Sequence, residues 1–560
     1  MQKKRRYTVR SRGIGVFVVT VALLVALPFA VAPTAALSDD RPLVDFMSSD
    51  FAGSAQCALC HSNLRDAGGT DVSIDSHWRS TMMANSARDP LWQAKVSSEI
   101  ARNPALRAII EDKCATCHTP MARTQAKITD TSVALLDGGF LATEHPLHNA
   151  AADGVSCTLC HQIEDRNLGE KDGFSGHYSI DGTTSPPDRL AFGPFPDPVE
   201  RVMRNRVGFT PVEGTHTTEA ALCGTCHTLY TPYVDAAGTV LGEFPEQTPY
   251  LEWERSDFGD GQGKDKTCQD CHMPLAEGGA VISNRPGRGL SPRSPFGQHH
   301  FVGGNTLMLG LLSTYRDDLG VTASATHLDA TISRTLQQLQ RKSARLSITS
   351  ASIDGDRLSV EVEVANLAGH KFPAAFPSRR AWIHLTVADA AGQTIFESGH
   401  PGDDGSIGGN DADSDPTVYE PHYTRISRPD QVQIYEGIMK DSDGAITYTL
   451  LRGAGYAKDN RLLPRGFDKD SSPTDTAVYG TARSDRDFTG GTDRIVFERV
   501  IAGTKRPLTV SVRLLYQTLS YAFFKDLVRD GTEQTKGFVS YYTGIEKEPA
   551  VAARISRTLQ

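Results

Sequence analysis

One five-residue phrase constrains this chain more than anything else in it. It reads Cys57-Ala-Leu-Cys60-His61, Cys114-Ala-Thr-Cys117-His118, Cys157-Thr-Leu-Cys160-His161, Cys223-Gly-Thr-Cys226-His227 and Cys268-Gln-Asp-Cys271-His272. A Cys-x-x-Cys-His run is the attachment signature of c-type haem. Two thiols on one short turn add to the two vinyl groups of a porphyrin, and the next residue lies under the ring as the proximal iron ligand. Zinc sites use Cys pairs as well, but combine two halves to reach four ligands. Five units is an odd number for that purpose, and neither zinc nor disulfides require a His after every second Cys. All 10 cysteines are consumed by the motifs. The expectation is five covalently bound haem c groups, each with iron.

A plate of this size changes what the surrounding chain has to supply. From Asp40 to about Asp318 the text is rich in Gly, Pro, Asp and His and poor in long apolar runs. That is a thin core for such a length, and porphyrins wrapped by short helical pieces make up for it. A six-coordinate iron needs a second axial ligand, and twelve histidines lie outside the motifs. His148 precedes Cys157 by nine residues and His216 precedes Cys223 by seven. His299 and His300 stand before Phe301-Val-Gly-Gly, where a backbone can approach a flat ring. His77 precedes Trp78 and a helical-looking run, and His177 is a further candidate. Met82, Met83 and Met121 are thioether alternatives that would raise a haem's potential, against plain core packing.

Several stretches resemble secreted multihaem cytochromes of the cytochrome c-554 type. They are His77-Trp-Arg-Ser-Thr-Met-Met-Ala-Asn-Ser-Ala-Arg-Asp-Pro-Leu-Trp92, Asp153-Gly-Val-Ser-Cys-Thr-Leu-Cys-His161-Gln-Ile, Leu222-Cys-Gly-Thr-Cys-His227 and Thr267-Cys-Gln-Asp-Cys-His-Met-Pro274. The match runs over most of residues 55–305. The resemblance implies haems that are mostly ligated by two His and packed closely enough to exchange electrons.

The N-terminus reads as an export signal. Lys3, Lys4, Arg5, Arg6, Arg10 and Arg12 precede an apolar run from Ile14 to about Ala32, and Thr34, Ala35 and Ala36 form a plausible cleavage zone. The expectation is a signal peptide over 1–36, with an uncleaved membrane anchor as the alternative. Either places the body in the periplasm or at the cell surface, where c-type haem is attached. The formal net charge of −9 and the lack of a basic block after the leader argue against nucleic acid as partner.

The fold class expected is α+β multidomain. A mostly helical and irregular multihaem domain spans 40–325. A connector helix follows over 326–346, where Leu328, Ile332, Leu336 and Leu339 recur at three- and four-residue steps. An antiparallel β-sandwich occupies 347–560, because Leu358-Ser-Val-Glu-Val-Glu-Val364, Trp382–Val387, Thr394–Glu397, Gln433–Ile438, Ala445–Leu451, Arg494–Ile501 and Leu508–Tyr516 are short strand-like runs with turns between. Asp389-Ala-Ala-Gly392 is the hairpin turn.

One loop does not suit a passive sandwich: Asn366-Leu-Ala-Gly-His370-Lys-Phe-Pro373, followed by Arg379 and Arg380. It resembles a Gly-His-Lys-Phe-Pro segment that some of these cytochromes carry after their haems, with Ala374-Ala375 where Thr-Gly is common. His370 is therefore a candidate axial ligand, and the two Arg are candidate partners for haem propionates. Gly402–Pro416 is acidic and reads as a solvated loop, since Pro416 occupies the position where a calcium loop needs Gly.

Two functions follow, beside a third in which the sandwich is a binding or docking module and the haems are secondary, which has only a fold behind it. The first is an electron-transfer protein, served by redox partners such as other cytochromes or a membrane quinol-linked complex. The alternative is a multihaem oxidoreductase that acts on a small nitrogen or sulfur compound at one open haem. All five motifs end in His and none in Lys, which marks no site as different and favours the first. The membrane enters only through an uncleaved leader.

Overall fold

The computed structural model describes residues 39–285 and 290–560; the leader expected over 1–36 lies outside them. Among the described residues no helix is long and apolar enough to cross a membrane.

The motif-bearing half is built from short helices. Ser54–His61, Arg107–His118, Cys157–Cys160 and Cys268–His272 end at or just before a motif histidine, and Ala220–Gly224 ends inside the fourth motif. Pro90–Arg102 and Pro120–Ile128 brace them, each with Pro in the first turn, where the missing N–H costs nothing. Two small sheets complete this half: β1 (Arg189–Gly193) lies parallel to β2 (Phe209–Glu213), and β3 (Leu229–Val234) antiparallel to β4 (Val240–Gln247). Its apolar core is divided into small clusters rather than one continuous mass.

Residues Ala325–Gln338 form the expected amphipathic helix, with Leu328, Thr331 and Thr335 buried. It ends earlier than the leucine spacing suggests. A single π turn covers Leu339–Ser343, and the chain is already a strand by Ala344. Leu346 belongs to that strand's buried face, which periodicity alone does not separate from a helix position.

The sandwich has two sheets. β5 (Ala344–Asp354), β6 (Arg357–Asn366), β9 (Arg425–Ile426) and β12 (Thr492–Val500) form one, in the order β5-β6-β12-β9. β7 (Arg380–Ala388), β8 (Thr394–Ser398), β10 (Ile434–Lys440), β11 (Gly455–Asp459), β13 (Leu508–Gln517) and β14 (Ala550–Leu559) form the other, in the order β11-β10-β7-β13-β14 with β8 beside β7. All pairs are antiparallel except β9 with β12. The alternation of β6 turns Leu358, Val360, Val362 and Val364 inward against Ala381, Ile383, Leu385 and Val387 of β7 and Val510, Val512 and Leu514 of β13. The Asp389 carboxylate accepts from the Ala391 and Gln393 amides and closes the hairpin, with Gly392 at φ 79°.

Two expectations differ. Ala445–Leu451 is no strand: it makes one bridge, Ile446 to Lys440, and then a 3-10 turn at Leu450–Arg452. The C-terminal half is not all β, since Tyr521–Val528 and Glu533–Thr543 are helices. They pack on the Pro90–Arg102 helix of the other half. There Arg102 pairs with Asp526 at 2.8 Å and Asp530 at 2.9 Å, and the Glu99 carboxylate accepts from the Leu450 amide at 2.7 Å. The architecture is α+β and multidomain as expected, and the motif-bearing half and the sandwich pack together within one compact unit over residues 39–560.

Candidate functional site

The five motifs are held by similar means. Free, half-buried cysteines present both sulfurs of each motif on a short turn. The following His turns Nδ1 to a backbone carbonyl: His61 to Ile282 at 2.7 Å, His161 to Phe192 at 2.6 Å, His272 to Val302 at 2.5 Å and His118 to Ser86 at 3.3 Å. A carbonyl only accepts, so Nδ1 carries the proton and Nε2 keeps its lone pair. That is the tautomer in which a metal-ligating imidazole is normally fixed. Partial loss of solvent lowers the pKa of the half-buried His61, His118, His161 and His272, down to about 4 for His118 and His272, and the exposed His227 is shifted in the same direction.

Local sequence explains the placement. Asp153 accepts from the Ser54 amide at 2.9 Å and the Ser54 hydroxyl at 2.6 Å, and from the Ser156 hydroxyl at 2.6 Å. It thereby ties the start of the first motif helix to the start of the third. Thr267 and Asp270 form a capping box ahead of the fifth motif. Gly224, inside the fourth, is required by Tyr250: a Cβ there would stand 2.8 Å from the tyrosine ring.

The motifs also meet one another. Cys57 and Cys157, Cys117 and Cys226, and Cys223 and Cys268 lie close enough to perturb each other's thiols, as Cys160 does those of Cys223 and Cys226. The Gly176 amide donates to Thr225 of the fourth motif at 2.6 Å, and a Cβ on Gly176 would stand 3.6 Å from Cys117 Sγ of the second. The first motif therefore adjoins the third, the third adjoins the fourth, and the fourth adjoins both the second and the fifth.

The candidate distal histidines separate by geometry. Two imidazoles bound on opposite sides of one metal, with metal–nitrogen bonds of about 2.0–2.1 Å, have ring centroids roughly 6.3 Å apart. His370 stands 6.4 Å from His272 with the rings 15° from parallel. His299 stands 6.4 Å from His161 at 32°. His299 is half-buried, with a buried and unpartnered Nδ1, and desolvation pushes its pKa down to about 3. His77 and His300 are only 4.5 Å apart, edge to face, and keep an unpartnered Nδ1 and Nε2 respectively. His148 turns Nδ1 to the Phe140 carbonyl at 3.1 Å, as the motif histidines do. His216 turns Nε2 to the Ile163 carbonyl at 2.9 Å, leaving Nδ1 as its lone-pair atom. His177 is exposed. Met121 is fully buried in an apolar cluster and receives the Thr158 hydroxyl at its sulfur, and Met82 packs against two further clusters.

The loop of His370 is clamped from both halves of the chain. Asn366 donates to the His370 and Leu462 carbonyls at 2.9 and 2.8 Å. Glu252, from the motif-bearing half, accepts from the Lys371 amide at 3.0 Å and pairs with Arg461 at 3.0 Å. Lys371 itself is fully buried against Asp459 at 2.7 Å. Gly369 passes Phe258 and Trp253, where a Cβ would stand 3.1 and 3.3 Å away. The two arginines diverge. Arg379 faces His227 electrostatically. Arg380 is not available to a propionate: it is buried on Asp413 at 2.8 Å and Gln517 at 2.7 Å. Asp413 comes from the acidic loop, which is thus partly buried structure rather than solvated chain.

The remaining histidines are spent elsewhere. His327 pairs with Asp40, and His384 and His400 with Glu397. His422, Asp485 and Asp493 lie close enough to hold a metal. However, His422 Nδ1 receives N–H groups from Gln433 and Asn460 at 2.8 and 3.0 Å. The other ends of both amides are fixed, by the Tyr423 and Glu436 amides. Nε2 therefore carries the proton and donates to Asp485, which makes the cluster a structural pin.

Sequence reasoning missed the four carbonyl acceptors, Asp153 and Trp92. The indole of Trp92 stacks on His118 at 4.5 Å and 5°. Only the Asp-Gly-Val-Ser lead into the third motif offered a signal, for Asp153.

No protein-family model matches the chain, and no curated protein matches it. Among solved structures, the fold is similar to a penta-heme cytochrome c552 from Thermochromatium tepidum. The TM-score is 0.50 at 16% identity, over 90% of this chain and 98% of that one.

Proposed function

We propose that this chain is an exported c-type cytochrome that carries five covalently attached haems and passes electrons among them. One observation carries the proposal. Each of the five Cys-x-x-Cys-His motifs presents two free thiols, four of the five histidines hold the ligand-ready tautomer, and the motifs adjoin in an unbroken series. The likeness of fold to a penta-heme cytochrome supports the same reading.

When bound, the haems supply one-electron Fe(III)/Fe(II) chemistry. The chain's own residues supply attachment, ligation and burial. The cysteines are the thioether positions. His61, His118, His161, His227 and His272 would be the proximal ligands. Ring geometry best supports His370, paired with His272, and His299, paired with His161, as the residues that would supply distal ligands. His77, His148, His216 and His300 are the further candidates. The contacts give electrons a branched route: first motif to third, third to fourth, and from the fourth to the second or the fifth. Export places the protein where haem c is attached and where redox partner proteins meet it.

Optical and electron paramagnetic resonance spectra of the purified protein test this. Five low-spin haems that reduce reversibly are expected. A high-spin haem that binds cyanide and turns over nitrite or hydroxylamine would move the assignment to an oxidoreductase.

A further inference from the structure

The five proximal histidines are not alike, and the difference follows the branching. Donation from Nδ1–H to a carbonyl makes the imidazole more basic and stabilises the oxidised metal it binds. His61, His161 and His272 make this bond at 2.7, 2.6 and 2.5 Å. An N–H···O bond normally spans about 2.7–3.2 Å, and the His118 contact with Ser86, at 3.3 Å, is longer than that range. His227 makes no such bond among the described residues.

A cause is visible for His118. Trp92 stacks on its ring almost parallel, so the ring plane is set by the indole rather than by the carbonyl. Trp92 is itself held by the Pro90–Arg102 helix, whose start Asp89 caps by accepting from the Leu91 and Trp92 amides. The indole N–H has no partner, so packing alone positions it. Charge does not separate the second motif, where Lys113 and Glu246 oppose each other beside Cys117. At the fourth motif the Arg379 guanidinium lies close enough to His227 to disfavour further positive charge on that ring. These two motifs are neighbours, through Cys117 and Cys226.

We infer that the second and fourth motifs hold the two highest-potential haems of the five, that together they form a two-electron store at the branch, and that Trp92 is the positioning residue that sets the potential of the first of them. The inference rests on the five-haem reading above. Each iron takes one electron on going from Fe(III) to Fe(II), so two electrons entering from any of the other three haems come to rest side by side.

The test is a dithionite titration of the five-haem protein, followed optically and by electron paramagnetic resonance, for the wild type, Trp92→Phe and Trp92→Leu. In Trp92→Leu the His118 ring is free to turn toward Ser86. One of the two highest-potential waves should then move to lower potential, and the largest g value of that haem should change. Trp92→Phe, which keeps a stacked ring, should leave both where they are. The inference is overturned if the wave that moves belongs to the lower three, if no wave moves, or if Phe and Leu shift it equally. Should Trp92→Leu mature with fewer haems, nitrogen-15 histidine spectra of the reduced wild type decide. Three proximal Nδ1 protons should show the downfield shift of a strong hydrogen bond, and the two that do not should belong to the haems reduced first. Five equally bonded protons would overturn the ordering while leaving the five-haem reading intact.

Discussion

Single side chains carry most of the chemistry here, and two of them give direct predictions. His370 comes from the loop after β6, yet its ring lies 6.4 Å from that of His272 and nearly parallel to it. His370→Ala should turn one haem of five high-spin and open it to cyanide or carbon monoxide, with haem count and fold unchanged. A spectrum that stays wholly low-spin would remove His370 from the ligands. Asp89 is a cap whose carboxyl pKa burial pushes up to about 6. A raised acid contributes stability that is fully present below its unfolded value of about 4, and that is lost as pH rises through about 6. Asp89→Asn keeps an acceptor for the cap and removes that loss. Its melting temperature should gain on the wild type between pH 4 and pH 7. Asp89→Ala should lose about 0.5–2 kcal/mol, as caps generally do. The motif residues stand out in the sequence alone, because the thioether attachment proposed for them demands a fixed spacing. Their hydrogen-bond acceptors do not: Ile282, Phe192 and Val302 act through backbone carbonyls, which leave no trace in residue type.

At the scale of elements, the two halves obey different rules. The sandwich obeys period two, so β6 and β13 could be placed from their alternating apolar residues. Leu385 of β7 is fully buried between the sheets. Leu385→Ala should cost about 2–5 kcal/mol by the transfer and cavity terms together, measured by chemical denaturation, and should leave the haem spectrum unchanged. The motif-bearing half has helices of a few turns, fixed by caps and close contacts. Gly224→Ala would drive a Cβ into the Tyr250 ring. It should lower the yield of fully matured protein, with the missing haem mapping to Cys223 and Cys226 in peptide mass spectra. Normal five-haem yield would show that the ring can yield. The end of the Ala325–Gln338 helix and the helices after β13 were harder to foresee. Leu346 fits a helical step and a strand step equally well, and no motif announces Tyr521–Val528 or Glu533–Thr543.

For the whole molecule, the notable result is that the sandwich is not an appendage. A partly buried ion pair of Arg102 with Asp526 and a buried one of Glu252 with Arg461 join it to the motif-bearing half. It also delivers His370 beside the fifth motif. Arg380 illustrates why such features escape a linear reading. Paired arginines in a loop suggested partners for haem propionates, but one of them is spent on Asp413, which lies 33 residues along the chain and close only after the sheet has formed. The central claim is that all five motifs are loaded with haem, and the intact mass of the mature, exported protein tests it most directly. The account predicts the mass of the processed polypeptide plus five haems, retained after denaturation because the links are covalent. A denatured mass equal to the bare polypeptide, or to the polypeptide plus fewer than five haems, would contradict it.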